Sequence, residues 1–283
     1  MNPAVAAELA VKYIAVNDTR LAYVEAGKGD PVVLVHGALQ DYRIWSAHIV
    51  DFAKHYRVIA YSRRNHFPNE VSGDGVQDGA ADTHGDDLAA LIRNLGLPKA
   101  HIVAHSAGAH SSLFLAAKHP QLLRSLTLVE PPATGLLATT EDGHALLKDW
   151  GARFAPAQEA FRKRDRDKGA RLFADGVGGP GTYDRRSDLE KRMMADNADS
   201  AIADATSIRP RPQFTCDMAA RIDIPTLLLR GERSPDLFGR ILQELACCMP
   251  KRQLVVVSTT SHTVPAENPA GFRAVVVPFL EEH

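Results

Sequence analysis

The sequence predicts an α/β protein with a mostly parallel sheet, helices on both faces, and a helical segment inserted ahead of the last strands. Three observations carry that prediction. Short continuous Val/Ile/Leu runs alternate with amphipathic stretches through the first half, as strands covered on both faces require. One such run, Ile102-Val103-Ala104, breaks into His105-Ser106-Ala107-Gly108 and continues at once as helix-forming sequence from His110 to Lys118. Strand signals vanish between about 133 and 221 and return with Pro225 to Arg230.

In chain order, Val11 to Val16 and Leu21 to Glu25 lie ahead of the turn-forming Gly27 to Asp30 and read as an antiparallel hairpin at the sheet edge. Val32 to His36, Tyr56 to Ser62, Lys99 to Ala104 and Ser125 to Val129 read as buried strands, with helices around Trp45 to Ala53, His84 to Leu95 and Ala107 to Lys118 between them. The Gly- and Asp-rich stretch Asn65 to Asp82 reads as a mobile surface loop. Charged helical segments follow at Ala157 to Phe173 and Arg186 to Ala205, separated by Gly176 to Gly181 and bounded by Ile208 to Gln213. The sheet resumes with Pro225 to Arg230 and Gln253 to Val257, each followed by a helix, Pro235 to Ala246 and Asn268 to Leu280. The expected division is a core of residues 1–132 and 222–283 with a helical cap of residues 133–221. No repeat or low-complexity segment interrupts it.

Composition narrows the partners. A formal net charge of -1 with 24% charged residues of both signs gives no basic face for nucleic acid and no acidic tail. Met1 to Ala15 lacks a basic segment followed by a long apolar core, and no apolar run reaches a membrane span, so a cytoplasmic protein is expected. Of the three cysteines, Cys247 and Cys248 are neighbours on one helix, where a mutual bridge would be strained. All three are expected to be reduced, and no Cys/His pairing suggests a metal.

Chemistry enters at Ser106. A serine at a sharp strand-to-helix corner presents its hydroxyl to a base and places backbone N–H groups near the developing oxyanion. A plain helix N-cap is the alternative role for such a residue. Pro31 to Val35 then runs into His36-Gly37-Ala38, small residues that let the backbone approach. The oxyanion donors of such a site are the N–H after the nucleophile and one from this loop, here Ala107 and Ala38. Near the C-terminus a strand opens into Ser258-Thr259-Thr260-Ser261-His262-Thr263, which places His262 to reach back to Ser106.

These landmarks together resemble the capped, serine-dependent α/β-hydrolases. Strand-His36-Gly37-Ala38, Ala104-His105-Ser106-Ala107-Gly108, Pro225 to Glu232 and Ser261 to Pro269 match that family's landmarks in order and spacing, with Ala104 replacing the usual first glycine. The resemblance spans roughly 11–132 and 222 to the end. It implies that the acid orienting the histidine should stand at Ser234, which is not an acid. Asp236 lies two positions late, in the first turn of a helix, and Glu232 is expected to point away. Glu130, ending an apolar strand before Pro131 and Pro132, is favoured, because active sites of open parallel sheets lie at the carboxyl ends of strands. Certain lactonases and dehalogenases are similar in taking their acid from this strand.

The implied activity is hydrolysis of a carboxylic ester or lactone through an acyl-enzyme. Ser106 is the nucleophile, His262 the base and Glu130 the acid, with Asp236 as alternative acid and His36 and Gly37 supporting the oxyanion loop. No metal or organic cofactor is implied, and the expected partner is a small-molecule ester or lactone. Carbon–carbon bond hydrolysis, cofactor-free perhydrolysis and a non-catalytic ligand-binding protein share the same constellation. Epoxide hydrolysis and dehalogenation need a carboxylate where Ser106 stands. The oligomeric state stays open, a homodimer included. Among the remaining residues, His105, His110 and His119 read as structural, Arg63 and Arg64 as a solvated pair that could also line the site, and Trp45, Trp150, Phe154, Phe161 and Phe173 equally as lining between cap and core or as ordinary packing.

Overall fold

The computed structural model describes residues 9–71, 80–209 and 211–283. One sheet holds β1 (Lys12–Val16), β2 (Thr19–Ala26), β3 (Pro31–Val35), β4 (Arg57–Tyr61), β5 (Ala100–His105), β6 (Leu123–Val129), β7 (Thr226–Gly231) and β8 (Arg252–Val257). Across the sheet the order is β1-β2-β4-β3-β5-β6-β7-β8. The β1–β2 hairpin forms one edge, β2 pairs antiparallel with β4, and the remaining pairings are parallel. Every residue of β3 and β5 is buried, which is why these runs are continuously apolar rather than alternating.

The helices among the described residues are α1 (Ser46–Phe52), α2 (Ala81–Asn94), α3 (Ala107–Lys118), α4 (Gly143–Arg162), α5 (Arg166–Gly178), α6 (Thr182–Arg185), α7 (Asp188–Asp196), α8 (Ala198–Thr206), α9 (Cys216–Ala220), α10 (Asp236–Cys248), α11 (Val264–Glu267) and α12 (Pro269–Glu282). Leu88, Leu91, Leu113, Phe114 and Ile241 from α2, α3 and α10 join one core beside the sheet. Ile49, Phe52, Phe272 and Val276 from α1 and α12 join the second. Trp45 belongs to that second core, edge-on to His48 at 5.9 Å. Ordinary packing thus accounts for it, in a cluster that Met193 of α7 also joins.

Between β6 and β7 the described residues carry α4 to α9 and no strand. The two long helices expected there are each broken. Arg164 takes a positive φ of 58° and Asp165 caps a new helix by accepting from the Lys168 N–H, so Ala157 to Phe173 is not continuous. The second break is at Asn197. Its Nδ2 donates to Asp41 Oδ2 at 2.7 Å, and its Oδ1 accepts from the Phe67 N–H at 2.8 Å, which ties the insertion to the core.

Two more expectations are corrected. Cys216 and Cys248 form a disulfide, leaving Cys247 as the free, exposed thiol. Only the adjacent pair was unsuitable; the partner lies 32 residues earlier, on α9 against α10. The loop from Asn65 is not a mobile surface segment in its first part. Asn69 is buried, accepts from the Ala22 N–H at 2.7 Å and donates to the Ser62 and Arg63 carbonyls. Residues 72–79 of that loop lie outside the described residues.

Candidate active site

Ser106 stands between β5 and α3 with φ 52° and ψ −122°, a conformation that costs an L-residue about 1–3 kcal/mol. Its surroundings hold it there: the Ser106 N–H donates to the Val129 carbonyl at 2.8 Å, and α3 begins directly against β3. A Cβ on Gly108 would come within 2.4 Å of the His36 carbonyl oxygen, so only glycine permits that approach. Ala104, fully buried, fits where the resemblance expected glycine. The Ser106 side chain makes no helix-capping bond. Its Oγ instead lies 3.0 Å from Nε2 of His262.

His262 sits in the loop after β8, which is fastened from several sides. Glu267 accepts from the Ser261 N–H at 2.6 Å, and Glu232 accepts from the Thr259 N–H at 2.9 Å. Glu232 thus points away from His262 and buttresses its loop. The ring of Phe238 stacks on the imidazole with centroids 4.2 Å apart. On its other side, Nδ1 of His262 lies 2.6 Å from Glu130 Oε2.

Glu130 ends β6, is fully buried and takes φ 48°. Its second oxygen accepts from the Gly231 N–H at 2.7 Å. Asp236, the alternative acid, is 93% exposed and only approaches Arg230, at 3.8 Å. Ser234, at the expected acid position, is buried near Glu130, close enough to favour its charged form though its hydroxyl lacks a well-formed hydrogen bond.

Burial acts on both partners against charge, pushing the Glu130 carboxyl up and the His262 imidazole down. Their contact acts the other way. A backbone N–H can only donate, so Oε1 is an acceptor. If the ring proton sits on Nδ1 and is donated to Oε2, Nε2 keeps the lone pair that faces the serine hydroxyl. The arrangement supports a carboxylate and a neutral imidazole, with Nε2 as a base for Ser106.

The loop after β3 faces the same serine. Neither the Ala38 nor the Ala107 N–H has an acceptor among the described residues. The Arg63 N–H donates to His36 Nε2 at 2.9 Å, which leaves His36 Nδ1–H to donate to the Gly37 carbonyl at 2.8 Å. Arg63 Nη2 reaches the same carbonyl at 3.0 Å. In a trans peptide the C=O and N–H point oppositely, so these donors fix and polarise the unit whose other end is the Ala38 N–H. Gln40 completes the loop by accepting from the Gly37 N–H at 2.9 Å.

Arg63 and Arg64 are both buried rather than solvated, a second correction from the loop after β4. Arg64 is neutralised by Asp87 and Asp18. His105 is buried and braces the loop of His262, with Nε2 3.0 Å from the His262 carbonyl and Nδ1 3.2 Å from Gln40 Oε1. His119 lies at the far end of α3, beside Arg93. His110 lines the cavity that opens from Ser106, about 440 Å³ in volume, together with Trp150, Phe154, Phe161 and Phe173 from the insertion. Sequence reasoning missed Gln40 and Phe238, whose roles depend on long-range contacts without a local signal.

Comparison with known proteins agrees with this architecture. The alpha/beta hydrolase fold family model matches residues 30–269. The chain is 24% identical to 2-(acetamidomethylene)succinate hydrolase of Mesorhizobium japonicum over 91% of its own length and 90% of the relative's. It is 25% identical to 3-oxoadipate enol-lactonase 1 of Acinetobacter baylyi, with 89% of each chain covered. Among solved structures, a thermophilic esterase from Thermogutta terrifontis superposes with a TM-score of 0.77 at 22% identity, covering 96% of this chain and 98% of that one. The chain belongs to the alpha/beta hydrolase fold family.

Proposed function

We propose that the protein is a serine hydrolase that cleaves a carboxylic ester or lactone through an acyl-enzyme. One observation carries this reading: Ser106 Oγ, His262 and Glu130 form an unbroken line of contacts, 3.0 Å and 2.6 Å, at the floor of the cavity. As Ser106 attacks the carbonyl, His262 Nε2 takes its proton and Glu130 stabilises the resulting imidazolium. The oxyanion rests on the Ala38 and Ala107 N–H groups, each worth about 3 kcal/mol when aimed at developing charge. The imidazolium then protonates the leaving alkoxide. Water, deprotonated by the same nitrogen, releases the acid and regenerates Ser106. Residues 133–221 act as a cap, with α4, α5 and α8 roofing the cavity and excluding bulk water. Relatives named as a hydrolase and a lactonase support the class of reaction.

The test is turnover of a panel of p-nitrophenyl esters and simple lactones by the wild-type protein and Ser106→Ala. Wild-type activity that falls at least a thousandfold in Ser106→Ala is expected. Unchanged activity in that variant would overturn the proposal.

A further inference from the structure

Arg63 is a buried cation without a counter-ion among the described residues. Its side chain is 3% exposed, and its hydrogen-bond acceptors among the described residues are both neutral, the Gly37 carbonyl at 3.0 Å and His66 Nε2 at 3.1 Å, each reached through Nη2. His66 is neutral there, because its Nδ1–H donates to the Arg64 carbonyl at 2.7 Å and leaves Nε2 as acceptor. Nε of Arg63 is buried with no partner among the described residues. The adjacent Arg64 shows what a satisfied buried arginine looks like in this fold, with Asp87 taking both Nε and Nη2 at 2.8 Å.

An uncompensated buried charge costs several kcal/mol. Burial pulls the Arg63 guanidinium down to about 10, against smaller opposing effects of Tyr61 and Asp204, and it stays charged at physiological pH. His36, His66 and His84 around it are held neutral, first by burial and then by its own charge. Of the groups that favour its charge, Tyr61 is a neutral phenol and Asp204 acts through space.

The same residue lines the cavity that contains Ser106. The described residues lining that cavity include Arg63, Arg211 and Arg209, the last paired with Asp82 at 2.9 Å, and one carboxylate, Asp204. Between them the lining mixes aromatic and aliphatic side chains such as Trp150, Phe154 and Phe161 with neutral polar ones such as Gln158 and Ser200, which offer a ligand's negative charge little competition for the buried guanidinium.

We propose that the substrate carries a carboxylate in addition to its scissile ester or lactone bond, and that Arg63 binds it. This rests on the hydrolase reading and narrows its substrate class to half-esters or lactones of carboxylic diacids. Bound there, the carboxylate supplies the missing counter-charge and aligns the scissile carbonyl with the oxyanion loop that Arg63 also touches. A phosphate in that place would bring a second negative charge that the single buried guanidinium leaves uncompensated.

The experiment compares mono-p-nitrophenyl succinate, glutarate and adipate with the methyl-ended butyrate, valerate and hexanoate esters, above their spontaneous hydrolysis. In the wild-type protein at least one member of the charged series should exceed its neutral counterpart in kcat/KM by tenfold or more, with the advantage shrinking as salt rises. Arg63→Met should lower kcat/KM at least tenfold further for that charged ester than for its neutral counterpart, and Arg63→Lys should restore part of the difference. Equal losses on both would assign Arg63 to loop support alone and overturn the proposal. So would a wild-type protein that prefers the neutral series. Calorimetric titration of Ser106→Ala with glutarate and adipate reads binding without turnover. Binding that disappears on adding Arg63→Met supports the inference even if none of these esters is cleaved, and no binding of either diacid overturns it, whatever becomes of the proposed reaction at Ser106.

Discussion

Glu130 Oε2 lies 2.6 Å from His262 Nδ1, so the histidine is oriented from the end of β6 rather than from the loop after β7. The sheet makes both positions equivalent in principle. β6 and β7 are parallel neighbours whose carboxyl ends open on the same edge, and Gly231 at the end of β7 donates its N–H to Glu130. A carboxylate moved by one strand can therefore reach the same imidazole.

This relationship predicts a contrast between two acids. Glu130→Gln keeps an oxygen for the Gly231 N–H but turns an amide N–H₂ toward Nδ1. The ring proton is thereby driven to Nε2, where it blocks proton acceptance. Steady-state kinetics should show kcat reduced about 10³- to 10⁴-fold with little change in KM. Asp236→Asn should leave both parameters within twofold, and a larger loss there than in Glu130→Gln would contradict the assignment.

Gly108 makes a prediction about the elbow. A Cβ there would stand 2.4 Å from the His36 carbonyl and 2.8 Å from that of Val35. Gly108→Ala should cost about 1–3 kcal/mol in denaturant unfolding, because backbone atoms must move. It should also lower kcat by displacing the neighbouring Ala107 N–H. Wild-type stability would mean that α3 does not press on β3 as described.

Buried histidines predict the response to acid. Burial lowers His48, His101 and His110 to about 4, against an ordinary value near 6.5. Between those limits the unfolded chain binds protons that the folded one does not, so stability rises with pH across the window and levels off above it. Each group contributes up to about 1.4 kcal/mol per pH unit. Thermal melts should show Tm falling steeply from pH 6.5 toward pH 4 and near-constant above 7. A flat profile from pH 7 to pH 4.5 would contradict the buried, neutral placement.

The disulfide makes a prediction about thiols. The native protein should titrate one thiol, Cys247, and three after reduction in denaturant. With the bridged positions 32 apart in sequence, loop-closure entropy gives an upper limit of about 4 kcal/mol for the stabilisation lost on reduction. Three reactive thiols in the native oxidised protein would refute the pairing.

What the sequence made legible follows from how local each signal is. The elbow at Ser106, the strands around it and the loop bearing His262 are written in contiguous residues, and the choice of Glu130 over Asp236 followed from its place at a strand end. The breaks at Arg164 and Asn197 were not legible. Asn197 interrupts a helix to bond Asp41, far away in the chain. Arg63 and Arg64 looked solvated because arginine pairs usually are; their burial depends on Asp87, Asp18 and the Gly37 carbonyl, contacts between distant segments. Likewise Cys216 meets Cys248 only because α9 returns to α10.

The most direct test of the central claim is covalent labelling with a fluorophosphonate followed by peptide mass spectrometry. The account predicts one adduct per chain, on Ser106, lost in Ser106→Ala and slowed at least a thousandfold in His262→Ala. An unlabelled Ser106 in protein that still turns over esters, or an adduct on another residue, would contradict it.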